Sequence, residues 1–256
     1  MKAVGHRESP PVCAPECLVD LTLPDPQPAG RDLLVEVHAV SVNSVDTKVR
    51  RGVAPPVGEA RTLGWNVVGV VRAVGGQASL FKPGDRVMYA GSLLRPGTNS
   101  ELHLVDERIV GRAPASLGDA AAAALPLTSI TAWELLFVRL QVRLEQDATG
   151  VLLVIGGAGG VGSSLVQLAR QLMTVVATAL RPETRERAMQ LGAHHVIDDT
   201  IVQHYLLNRI NELIDAGVLR STLAEHFGTI NAANLKRAHA LLESGKARGK
   251  IVLSRF

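Results

Sequence analysis

Cysteine, aromatic side chains and clustered charge are all scarce in this sequence, and each scarcity removes a class of function. The 256 residues hold two cysteines, Cys13 and Cys17, in "CAPEC". A tetrahedral structural zinc site takes a full set of thiolate or imidazole ligands, which this pair could complete only by recruiting His6 or a distant group. Read without a metal, they are small side chains in a loop of a reducing compartment. Phe, Trp and Tyr make up 3% of the chain, too few for the stacking platforms that hold single-stranded nucleic acid. The formal charge is +3 and the densest basic run is "VRRG" at 49–52, so no phosphate-binding footprint emerges. No stretch reaches the ~20 consecutive apolar residues of a membrane helix. The segment "MKAVGHRESPP" also lacks the apolar core of a signal peptide. The expectation is a soluble, cytoplasmic protein with neither nucleic-acid nor membrane partners.

What is present is an ordinary globular composition, 46% hydrophobic and 20% charged. The first 115 residues read as strands joined by turns. "DLLVEVHAVSV" alternates, with Leu34, Glu36 and His38 opposed to Val35, Val37 and Ala39. "GVVRAVG" and "DRVMYAG" are further β-branched runs, and "KPGD" at 82–85 is turn punctuation between them. A barrel or sandwich suits that spacing. At "SLGDAAAAALPLTSITAWELLF" helix-favouring residues take over, with Pro126 as a break and a second helix from about Thr128. From Val151 strands and helices alternate, as in a parallel α/β layer. "VLLVI" has the continuous apolar character of a strand buried on both faces. "GSSLVQLARQLM" puts Leu165, Leu168, Ala169 and Leu172 on one helical face. Then come a strand "VVATAL", a helix "RPETRERAMQLG" with Pro182 in its first turn and Gly192 at its stop, and a strand "HHVID". A helix "YLLNRINELIDAG", an extended "VLRSTL", a helix "NAANLKRAHALLESG" and a strand "KIVLS" complete the chain.

The chemistry-bearing motif is "VLLVIGGAGGVGSSLVQLA". It sets Gly157, Gly159 and Gly162 in a G-x-G-x-x-G pattern between a strand and a helix, with Gly160 and Val161 inside it. Such glycines permit a tight turn, a close backbone approach to a pyrophosphate and close packing of helix on strand, while the helix N-terminus attracts the phosphates. The reading is a dinucleotide site. The second strand ends in "ATALRPET", with no acid for a ribose 2′-hydroxyl and with Arg181 next in line. Arginine is poorly placed against a helix dipole at that end, so a 2′-phosphate and hence NADPH is the expectation; otherwise Arg181 is a solvated surface residue.

Beyond the glycine loop, "VSVNSVDTKVRRG", "LGWNVVGVVRAVG", "FKPGDRVMYAG", "LPLTSITAWELL", "LGAHHVID" and "LLESGKARGKIVL" follow one another in an order that resembles the medium-chain dehydrogenase/reductase superfamily. The resemblance is to its quinone oxidoreductase-like, zinc-type alcohol dehydrogenase-like branch. It implies a GroES-like, partly open β-barrel catalytic domain from residues 1–125 and 201–256, and a Rossmann cofactor domain at 126–200. It also implies hydride transfer from NADPH to a quinone, enone or similar activated carbonyl. By that resemblance Asn43 lies near nicotinamide and substrate and Thr131 near the carboxamide. Lys48 stands where relatives often carry Tyr and would donate to a carbonyl. The plainer alternatives are a turn cap for Asn43, a helix-internal hydrogen bond for Thr131 and a solvated Lys48, with Asp46 and Arg50 as a structural ion pair. Zinc-dependent members carry a Cys, a Gly-His-Glu unit and a further ligand; here "SVNSVDTK" has no Cys and Trp65 and Asn66 stand at the His-Glu positions, so no metal is expected.

One half of the expected cofactor domain is missing. A Rossmann sheet has two βαβαβ halves flanking its ligand crevice. Here three parallel strands are followed, after Asp199, by what resembles the closing helix of the catalytic domain. The first strand would then keep a bare backbone edge unless a partner covers it. Relatives commonly dimerise through the missing half, so a homo-oligomer is possible but not by the usual route. Impaired activity, an idle binding or assembly protein, or a truncated relic of such a reductase are the alternatives to a working enzyme.

Overall fold

The computed structural model describes residues 1–7, 17–143, 150–198, 208, 210–212, 214–218, 220, 221, 223–244, 246 and 250–254. Cys13 and the whole of the 199–207 seam lie outside them. The chain divides into two compact units, Met1–Val196 and Ile197–Phe256.

The first unit begins with a small antiparallel sheet. Strand β1 (Lys2–His6) lies between β2 (Val19–Thr22) and the short β4 (Arg61–Thr62). The main open antiparallel sheet holds β3 (Asp32–Ser41), β5 (Asn66–Val74), β6 (Arg86–Ala90), β7 (Leu102–Asp106) and β8 (Val110–Arg112), in the order β7-β3-β5-β6-β8. Valine-rich alternation builds it, because β-branched side chains fit the pleat and pack across strands. Leu33, Val35, Val67, Val71, Val87, Tyr89 and Val105 form its buried core. Register runs from Leu33 opposite Val74 to Ser41 opposite Asn66, with irregularities at Leu34/Val35 and Val37/Ala39. Helix α1 (Ser44–Gly52) follows β3 directly.

Helix α2 (Asp119–Ala123) packs Ala122 and Ala123 onto Val68 of the barrel sheet. Helix α3 (Pro126–Trp133) runs straight into a π-helical turn at Glu134–Arg139. In the sequence Pro126 reads as a break, with the helix starting near Thr128. Instead Pro126 opens the helix, where a missing N–H is no loss and a fixed φ suits the first turn.

The α/β layer then forms as β9 (Val151–Val154), α4 (Gly160–Ala169), β10 (Thr174–Thr178), α5 (Pro182–Gln190) and β11 (His195–Ile197). Its sheet order is β11-β10-β9, with Thr174 opposite Val151 through Ala177 opposite Val154 in parallel. This is the expected βαβαβ half. Two details differ from the sequence reading. The deepest stripe of α4 is Gly162, Val166 and Ala169, continued by Met173, and Leu165, Leu168 and Leu172 flank it half-buried. The smaller side chains let the helix sit closer to the sheet. β9 is also not buried on both faces. It pairs with β10 alone among the described residues, and Val151, Leu153 and Ile155 are 68%, 41% and 68% exposed.

In the second unit, residues 208, 210–212, 214 and 215 are helical. β12 (Leu223–His226) pairs in parallel with β13 (Lys250–Val252). Between them α6 (Ala232–Glu243) starts on Asn231, whose side chain accepts from Asn234 N–H at 2.8 Å. No helix among the described residues is long and apolar enough to cross a membrane.

Candidate cofactor and active site

The glycine loop is fixed from β10. Gly156, at φ +68°, makes the turn after β9. Its N–H donates to Thr178 Oγ1 at 2.9 Å and the Gly157 N–H to Thr178 O at 3.1 Å. A Cβ on Gly157 would stand 2.6 Å from Ala177 Cβ, and one on Gly162 2.2 Å from Gly156 O. Both positions are therefore closed to any side chain, Gly157 by β10 and Gly162 by the turn at Gly156 and Gly157. Gly159 is different: it precedes α4 in extended conformation, and a Cβ there would meet Gly156 O alone, at 3.2 Å. Gly156 has open space where a Cβ would stand. The N–H groups of Gly160, Val161 and Gly162, in the first turn of α4, are of the kind a helix leaves without intrahelical acceptors. A cradle open on the Gly156/Gly159 side and closed on the sheet side fits a diphosphate at a helix N-terminus.

Beyond the tip of β10, Arg181 caps α5 in extended conformation. Its backbone N–H donates to Thr184 Oγ1 at 3.2 Å, and its side chain is exposed. The neighbouring Arg185 is committed elsewhere, donating to Ala179 O and Val196 O. Arg181 is thus the cation at this strand end left toward solvent.

The other expected site residues stand at α1 and in α3. The backbone N–H of Asn43 donates to Asp46 Oδ2 at 2.6 Å and its Nδ2–H to Ser41 O at 3.3 Å, so it caps α1. Lys48 is exposed on α1, and Asp46 and Arg50 are both buried on the same helix. Thr131 donates its hydroxyl to Leu127 O at 2.8 Å, inside α3. The threonine of α3 that meets the glycine loop is Thr128, whose methyl lies 3.1 Å from where a Gly160 Cβ would be. Asn66 was read only as a missing metal ligand, yet it is fully buried and uses both ends of its amide. Its Nδ2–H donates to Ser41 Oγ at 3.0 Å and its Oδ1 accepts from Leu127 N–H at 3.1 Å. The signal was in the sequence: a lone amide in the apolar "GWNVVGVV" has to be paired somewhere.

Zinc does not fit. Among the described residues no three His, Cys, Asp or Glu side chains are grouped to hold a metal. At the two positions where zinc-dependent relatives carry ligands, Trp65 donates its indole N–H to Ser92 O at 3.0 Å and Asn66 is spent as above. Neither offers the deprotonated donor a zinc site requires.

Polar groups elsewhere in the barrel, His103 with Tyr89 buried and Asp119 with Arg86 and His38 partly exposed, serve its framework. His103 Nε2–H donates to Pro96 O at 3.0 Å, leaving Nδ1 to accept from Tyr89 Oη at 2.8 Å. Burial pushes the His103 imidazole down to about 4. Asp119, bonded first by Arg86 and then by His38, is held below the usual carboxylate range.

Two family models match the chain in succession. Residues 29–121 match the alcohol dehydrogenase GroES-like domain and residues 135–253 the zinc-binding dehydrogenase domain. A zinc-type alcohol dehydrogenase-like protein of Staphylococcus epidermidis is 40% identical over 202 residues, covering 77% of this chain and 59% of that protein. A quinone oxidoreductase of Pongo abelii is 34% identical over 182 residues, covering 70% of this chain and 53% of its own length. The chain therefore spans little more than half of these curated relatives. The crystal structure of a putative zinc-dependent alcohol dehydrogenase from Rhizobium etli CFN 42 is 44% identical, with a TM-score of 0.73 and coverage of 100% of this chain and 98% of that one. With the open barrel sheet, the βαβαβ layer and its glycine cradle, these matches establish that the chain belongs to the medium-chain dehydrogenase/reductase superfamily, in its quinone oxidoreductase-like, zinc-type alcohol dehydrogenase-like branch.

Proposed function

We propose that this chain is a zinc-independent oxidoreductase that takes hydride from NADPH and delivers it to a quinone, enone or similar activated carbonyl in the cytoplasm. The observation that carries the reading is the cradle: Gly157 and Gly162 admit no Cβ, Gly156 has open space where a Cβ would stand, Gly159 meets Gly156 O alone, and Arg181 stands exposed at the end of β10. Gly156 to Gly162 would hold the diphosphate, and Arg181 would pair with the 2′-phosphate. When bound, the cofactor supplies the hydride; the chain's own residues bind and orient. Under this reading residues 126–200 form the cofactor domain, and 201–256 complete the catalytic domain begun by 1–125. Asn43, Lys48 and Thr131 are the proposed residues nearest the reacting carbons. Each now holds a structural bond or a solvent-facing place, so their part is orientation rather than covalent chemistry. The relatives named for quinone reduction support the acceptor class. Stopped-flow oxidation of NADPH and of NADH by a simple quinone tests the proposal. It expects turnover with a preference for NADPH, and equal or absent turnover overturns it.

A second reading, an assembly protein that has kept the cradle, is favoured by one observation. Among the described residues β9 is a sheet edge of apolar residues, and such edges are templates for further strands. A homo-oligomer closed through β9 fits either reading.

A further inference from the structure

The geometry points to Asn66 as a positioning residue that locks the cofactor loop to the barrel. The assignment rests on the oxidoreductase reading above and goes beyond it, since it names a residue that touches neither cradle nor acceptor. It begins with a defect in α3. The residue before this helix is Leu125, whose side chain has no oxygen to cap with, and the first helical residue is Pro126, which has no N–H. The first backbone donor of α3 is therefore Leu127 N–H; Leu125 and Pro126 before it carry no side-chain acceptor, and the Thr128 hydroxyl after it is turned to the Ala124 and Leu125 carbonyls. Asn66 supplies one from another element: at the start of β5, fully buried, its Oδ1 accepts that N–H at 3.1 Å. The cap of α3 is thus a barrel residue.

The other end of the same amide reaches the opposite way. Asn66 Nδ2–H donates to Ser41 Oγ at 3.0 Å, and the Ser41 carbonyl accepts from the Asn43 side chain at 3.3 Å. On the far side, Leu127 is followed by Thr128, whose methyl rests on Gly160 in the first turn of α4. One side chain therefore joins the end of β3, with the Asn43 turn that follows it, to the helix turn that abuts the glycine loop. A hydrocarbon side chain of equal size would fill the space but leave Leu127 N–H buried without its acceptor, and would release Ser41. An acid would keep an acceptor for Leu127 N–H and let the Ser41 hydroxyl turn to donate. An amide does both without burying a charge.

The test compares Asn66→Leu and Asn66→Asp with the wild type in NADPH affinity, kcat and amide hydrogen exchange. Because misplacement by about an ångström costs on the order of 10²-fold in rate, Asn66→Leu is expected to lose about that much in kcat while NADPH Kd stays within about threefold. Asn66→Asp is expected to return to within about tenfold of wild type, since it restores the hydrogen bonds. Exchange at 127–129 and at 159–162 rises together in Asn66→Leu. An unchanged kcat, or a kcat and a Kd that worsen by the same factor, overturns the assignment. If the wild type transfers no hydride, the functional reading fails by itself and the exchange data still decide. Joint loosening of the two segments supports the latch, and loosening of 127–129 alone refutes it. Should Asn66→Leu not fold, Ser41→Ala cuts one of the two bonds and is judged by the same kcat and exchange readings.

Discussion

Lowering the pH should unlock the barrel through one histidine. His103 is 5% exposed, and burial holds its ring neutral against the Nε2–H bond to Pro96 O, which by itself favours the charged form, while Nδ1 accepts from Tyr89 Oη. A second proton would place a charge in the core and turn Nδ1 into a donor facing a hydroxyl that already donates to it. The imidazole therefore titrates at about 4 in the fold rather than at its ordinary 6.5. The sign follows from proton counting. Between those values the unfolded chain binds the proton and the folded chain does not, so stability is fully present above pH 6.5 and is lost as the pH falls toward 4. At 1.36 kcal/mol per unit, the whole loss is about 3 kcal/mol, a large share of a stability of roughly 5–15 kcal/mol. Urea titrations between pH 7.5 and 4 would measure it, comparing wild type with His103→Gln. The variant starts less stable, but its stability should fall less steeply across that window, by up to about 1.4 kcal/mol per pH unit. Identical slopes for the two proteins would refute the buried neutral imidazole.

Three further outcomes are expected. Replacing Arg181 with Ala should weaken NADPH binding about tenfold or more, the worth of a charge-assisted hydrogen bond of ~1.5–3 kcal/mol, and leave NADH binding and thermal stability unchanged; equilibrium fluorescence titration measures it. Gly162→Val should remove dinucleotide binding, because its Cβ alone would stand 2.2 Å from Gly156 O. An overpacking cost of about 1–3 kcal/mol in the α/β layer should follow, read by denaturation. Leu153→Lys on the β9 edge should change monomer stability by no more than ~0.5 kcal/mol, as exposed positions do, yet reduce concentration-dependent association in sedimentation.

Much of this architecture was legible because its cause is local. Alternating valines announced β3 and β5, and glycines between a strand and a helix announced the cradle, since no other residue fits at Gly157 and Gly162. The edge position of β9, which pairs with β10 alone among the described residues, followed from counting strands. What escaped was set by tertiary contact. Pro126 reads as a breaker until the helix is known to start on it. The face of α4 read from its leucines is offset from the one buried, because Val166 and Ala169 allow closer approach. Asn43 and Thr131 came from resemblance, and their hydrogen bonds serve a cap and a helix turn. Asn66 and Thr128 were missed because their partners, Leu127 and Gly160, lie 61 and 32 residues away (66 to 127, and 128 to 160). Periodicity does not encode contacts at that range.

The central claim is that half of a dinucleotide-binding layer, closed by Gly157 and Gly162 and capped by Arg181, still holds NADPH in a posture that can react. Titration of NADPH followed by fluorescence, with a quinone added to the same cuvette, tests it most directly. The account predicts saturable binding that Gly162→Val abolishes, and oxidation of the nucleotide once the quinone is present. Absence of saturable binding, or binding that Gly162→Val leaves intact, would contradict it.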